Sequence, residues 1–122
     1  MSEIDTEELG YAIEEATAAF DAANHAFGRF VTYVVRPHNE PVPPAVQAVR
    51  ESLQDAALSV PPEPTEAATR EFLASLRAAL DVVTRFLQHP PPGYALEEAM
   101  ATPGALEEAI DALQGVLGSA GE

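Results

Sequence analysis

The chain has 122 residues, 47% hydrophobic and 21% charged, with a formal net charge of −14. That is the length of one domain with one modest core, which excludes wholesale disorder, and no apolar run nears the ~20 residues of a bilayer-spanning helix. The absence of cysteine excludes a disulfide framework and thiolate chemistry, and 20 acids against 6 bases disfavour nucleic acid or an anionic membrane as partner.

The acidic N-terminus, Met-Ser-Glu-Ile-Asp, has no apolar segment of the kind a secretory signal needs. We therefore expect a cytoplasmic protein. All six bases are arginine, the composition of a GC-rich genome. They fall between Arg29 and Arg85, so both ends of the chain carry acids alone.

The first helix is expected over about residues 5–35. Apolar residues recur at Leu9, Ile13, Ala16, Phe20, Ala23, Phe27, Phe30 and Val34, in alternating steps of four and three. That spacing buries one narrow stripe against other helices. Thr6 is the expected cap, with Glu7 and Glu8 suiting the positive end of the helix dipole. Gly28 interrupts the pattern and marks a kink or a close helix crossing. Arg36 ends the segment because a residue before proline is pushed out of the helical region.

Pro37, Pro41, Pro43 and Pro44 form a stiff connector. A second helix is expected over 43–58, with Val46, Val49, Leu53 and Ala56 or Ala57 inside. Arg50, Glu51, Gln54 and Asp55 then face out. After Ser-Val-Pro-Pro-Glu-Pro, Thr65 caps a third helix over 65–88. Its stripe is Phe72, Leu76, Leu80 or Ala79, Val83 and Phe86 or Leu87.

Three prolines at 90–92 stop that helix. A short helix is expected at 94–101. Thr102-Pro103 then reads as a cap and first turn for a fourth main helix over 103–117, with Leu106, Ile110, Leu113 and Leu117 inside. Serines and threonines are expected at caps and outer faces.

The expected fold is an all-α, antiparallel, up-down-up-down four-helix bundle with a long first helix and proline-rich loops, in a single domain. The first helix is ~45 Å long against ~24 Å for its shorter neighbours. Its surplus stripe then needs a bend, or cover from a second copy. In a structural homodimer, Phe20, Phe27 and Phe30 would be buried across the two-fold.

Two groups of residues are candidates for function. The up-down layout brings the loops after the first and third helices to one end, gathering Tyr33, Arg36, His38, Arg85, His89 and Tyr94. This basic, aromatic corner suits a small anion or an acidic segment, through arginine's planar fork. The paired acids Glu7, Glu8, Glu14, Glu15, Glu107, Glu108 and Asp111 form a candidate acidic partner face. Asp21 and His25 lie one turn apart, but no second carboxylate–histidine pair completes a metal site, so neither a metal nor another cofactor is expected.

Two short segments carry resemblances. Glu-Glu-Leu-Gly at 7–10 resembles a motif fragment of the all-helical nucleotide pyrophosphohydrolases, implying magnesium held by facing acid pairs. Those facing pairs are not completed here. Tyr11-x-x-x-Glu15 and Tyr94-x-x-x-Glu98 resemble the export signal of type VII secretion substrates, which are small helical hairpins. That family's Trp-x-Gly turn has no counterpart, since the chain has no tryptophan.

With no nucleophile elbow, phosphate loop or zinc spacing, the expected function is non-catalytic. It is binding of a partner protein, a basic one in one version, by an acidic regulatory, adaptor or antitoxin/immunity-type module. The alternatives are a small-molecule or anion-binding bundle and a structural homodimer.

Overall fold

The computed structural model describes residues 5–37 and 42–120. Four α-helices run in order: α1 (Thr6–Phe30), α2 (Pro44–Leu58), α3 (Glu66–Gln88) and α4 (Glu97–Ala120). A π-helical turn, Val31–Val35, continues α1. All regular structure among the described residues is helical, and the chain is an all-α four-helix bundle.

Asp5, not Thr6, caps α1. Its carboxylate accepts the Glu7 N–H at 3.0 Å, and Thr6 is the first helical residue. Leu9, Ile13, Ala16, Phe20, Ala23, Phe27 and Phe30 of the expected stripe are all buried. Val34 is only half-buried, and Val31 and Val35 replace it in the core. The cause is the π turn. Arg36 N–H donates to Val31 O, five residues back, so one extra residue in the turn rotates the stripe. The β-branched run and the donor lost at Pro37 weaken ordinary α pairing here.

Gly28 does not mark a close helix crossing. Its carbonyl accepts the Val31 N–H within the helix, and a Cβ placed on it would meet nothing within 4 Å.

In α2, Val46, Val49, Leu53 and Ala56 point inward, and Pro44 occupies the first turn, where a missing N–H costs little. The Ser59 hydroxyl lies 2.8 Å from that of Ser75, so the C-terminal end of α2 is level with the middle of α3. Thr65 caps α3 as expected, accepting the Ala68 N–H at 3.2 Å. Phe72, Leu76, Ala79, Val83 and Phe86 form its buried stripe.

The fourth helix departs from expectation. The segments at 94–101 and 103–117 are one helix, α4, with Pro103 inside it. Thr102 therefore caps nothing. An interior proline costs ~3 kcal/mol through a lost hydrogen bond and a clash with the carbonyl four residues back. Burial of Ala99, Leu106, Ala109, Ile110, Leu113 and Leu117 along one face exceeds that, at roughly 1.5–3 kcal/mol for each large aliphatic side chain. Thr69 and Thr102 are also fully buried, against the expectation of outer positions. Thr69 Oγ1 donates to Thr65 O at 2.6 Å, while Thr102 Oγ1 is buried without a hydrogen-bond partner.

The long α4 resolves the surplus of α1. The helices have 24 and 25 residues, and α4 covers α1 along its length. An edge-to-face aromatic series fixes the directions. Phe20 meets Phe72 at 6.3 Å, Phe27 meets Phe86 at 5.9 Å, and Phe30 meets Phe86 at 5.8 Å and Tyr94 at 6.0 Å. Contacts in the same order along α1 and α3 make those helices parallel and diagonal. Arg29 at the end of α1 pairs with Glu98 in the first turn of α4 at 3.2 Å, so α1 and α4 are antiparallel. Phe20, Phe27 and Phe30 are buried by their own chain, and a second copy is not needed to cover them. Backbone packing is most extensive between α1 and α4 and slight between the neighbours α1 and α2.

Candidate functional site

Alanines line the open face between α1 and α4. Ala18, Ala19 and Ala22 of α1 and Ala112 of α4 floor a trough of about 650 Å³, whose edges carry Glu15, Glu108 and Asp111. Glu108 and Asp111 are three residues apart and share one side of α4, and Glu15 faces them from α1. All three side chains are exposed. The ion pairs among the described residues are Arg29–Glu98, Arg70–Glu66 and Arg85–Asp81, so none of the three trough acids is neutralised by a neighbour.

The flanking sequence does not dilute this charge. No base occurs in the described length of α4, and Arg29 at the far end is the only one on α1. The other acids expected on this face are also exposed but lie outside the trough. Glu7 and Glu8 sit in the first turn of α1, Glu14 one position before Glu15, and Glu107 one position before Glu108. Sequence reasoning found the acids but missed the alanine floor. The signal for it was the small residues at Ala18, Ala19 and Ala22, a spacing that lines one helix face.

The expected basic corner comes together only in part. The ends of α1 and α3 do meet, as the Phe30–Phe86 contact shows. The side chains then diverge. Tyr94 is half-buried with its ring edge-on to Phe30. Tyr33 is 71% exposed and lines a different hollow, on the outer side of α1 beside His25 and Arg29. Arg85 pairs with Asp81 of its own helix at 2.9 Å. His89 is the exposed C-cap of α3 and Arg36 is exposed beyond the π turn. His38 lies outside the described residues.

Asp21 and His25 share that outer hollow. No cluster of three or more His, Cys, Asp or Glu side chains capable of holding a metal occurs among the described residues. No helix among them is long and apolar enough to cross a membrane.

Chemically, the trough offers acceptors only. Ionised carboxylates take hydrogen bonds from cations and donate none. Three of them around an apolar floor suit ammonium or guanidinium groups carried on aliphatic stems, which lay the stem on the methyls and the charge on the rim. The trough is lined by carboxylate and alanine side chains alone, with no hydroxyl, imidazole or amine among them. Comparison with protein-family models, curated proteins and solved structures gives no match to this chain.

Proposed function

We propose that this chain is a non-catalytic protein-interaction module that binds a basic partner protein across the α1/α4 face, as a regulatory, adaptor or antitoxin/immunity-type protein. The observation that carries the reading is the trough of Glu15, Glu108 and Asp111, unneutralised and floored by alanine. The net charge of −14 adds long-range steering toward a positive partner. Acids of two helices then stand where phosphates would on a nucleic-acid target. The small-molecule alternative draws support from a different groove, described below. The homodimer reading has lost its motive, because the stripe that called for it is covered within one chain.

The test compares tagged full-length protein with a triple variant, Glu15→Gln, Glu108→Gln and Asp111→Asn, in pull-downs from native lysate under a salt gradient. The wild type is expected to retain a basic protein at low salt and release it as exposed charges are screened, at a Debye length of ~10 Å near 0.1 M. The triple variant is expected to lose that protein while keeping its helical circular dichroism. Equal retention by both forms, or none by either, would overturn the proposal.

A further inference from the structure

We infer that the groove between α1 and α2 binds a small organic carboxylate with an apolar body, at a site separate from the acidic trough. Three independent features meet there.

The first is an unpaired cation. Arg50 was expected to face solvent, yet it is half-buried in the wall of this groove. No carboxylate pairs with it among the described residues, and its only described hydrogen bond is a long one to Gln47 Oε1 at 3.3 Å. No Asp or Glu lines the groove, in a protein of net charge −14.

The second is shape. The groove holds about 420 Å³, within the range of small-ligand sites. Phe27, Val31 and Leu53 supply the apolar side, and the carboxamides of Asn24, Gln47 and Gln54 border it. A cation with neighbouring amides over an apolar floor matches an anionic head on a hydrocarbon or aromatic body.

The third is Gly28. Interior helical glycine is unfavourable, and this one satisfies neither a positive φ nor a close crossing. Gly28 lies between this groove and the outer hollow of α1, and a Cβ there would meet nothing within 4 Å. The missing side chain leaves room. The π turn begins three residues later, and single π turns inside helices recur at functional sites. A helical glycine with neither a conformational nor a packing reason is a broken local rule of the kind expected where a site is built.

The test titrates the ¹⁵N-labelled full chain with hexanoate, hexanol and hexylammonium, which share one alkyl body. Hexanoate is expected to give saturable amide shifts at Gly28, Val31 and Leu53, with a dissociation constant in the millimolar range for so few atoms. Hexanol is expected to bind roughly tenfold more weakly, lacking the charge-assisted bond, and hexylammonium not to compete. Arg50→Gln should reduce hexanoate to the level of hexanol. Gly28→Ala should weaken hexanoate while the thermal midpoint stays level or rises, which separates lost binding from lost folding. The triple trough variant should bind hexanoate normally, so this site and the partner face fail independently. No saturable response to hexanoate, an equal response to all three probes, or hexanoate binding unchanged in Arg50→Gln would overturn the assignment.

Discussion

α1 treats its two neighbours differently. Toward α4 it presents alanines, and the backbones pack along the length of both helices. Toward α2 it presents Phe27, Gly28 and Val31, and the helices leave a groove between them. The closed flank ends in a rim of unpaired acids, while the open flank contains an unpaired arginine. The difference teaches that small residues have two uses. Where the partner helix carries an apolar face of matching length, they draw it in. Where the partner is short, as α2 is at 15 residues, the same economy of side chain leaves space.

The sharpest way to break this contrast is to enlarge a small residue on the buried stripe. Ala23 is fully buried midway along α1. Ala23→Leu adds three carbons where packing leaves no room, and is expected to lower stability by ~1–3 kcal/mol, read as a fall in the urea midpoint. A neutral or stabilising result would mean that the bundle's interior is as loosely filled as the α1/α2 groove.

The next effect is smaller and of opposite sign. Thr102 Oγ1 sits in the core of α4 with no hydrogen-bond partner. A buried hydroxyl in that state costs about 1–3 kcal/mol of desolvation. Thr102→Val keeps the shape and removes the polar atom, so a gain of ~1 kcal/mol is expected in chemical denaturation. A loss instead would show that the hydroxyl is satisfied in solution, by a water or by a rotated side chain.

Local signals account for what the sequence revealed. Caps and prolines placed the boundaries of α2 and α3 within one residue, because Thr65 and Pro44 act on the turn they begin. The same local rule failed at Pro103. There a continuous apolar face overrode the proline, and that depends on α1 and α3 being present to cover it. The acids of the trough were legible as acids, but which of them converge depends on the register of α1 against α4. Glu15 and Glu108 meet across the trough while Glu14 and Glu107, one residue away, do not. Arg50 was misread because helical period alone cannot tell a face on solvent from a face on an open groove. Of the expected corner of Tyr33, Arg36, His38, Arg85, His89 and Tyr94, the ends of α1 and α3 that carry it do meet, through Phe30 and Phe86. Its side chains were claimed by nearer partners, Asp81 for Arg85 and Phe30 for Tyr94.

The smallest expected effect refines the contrast most. On the closed flank, adding carbon to α1 destabilises. On the open flank it should do the reverse. Gly28→Ala introduces one methyl with nothing within 4 Å of it and no positive φ to accommodate. Alanine is the better helix former by ~0.8–1 kcal/mol, through lower unfolded-state entropy and less backbone exposed to water. The variant is therefore expected to gain ~0.5–1 kcal/mol, measured by urea denaturation with an unchanged m-value. A gain combined with loss of hexanoate binding means the glycine is retained for the groove at the cost of stability, the trade-off expected of a functional site. A loss of stability means that the groove closes in solution, with α2 packed on Gly28, and that the two flanks of α1 are alike after all.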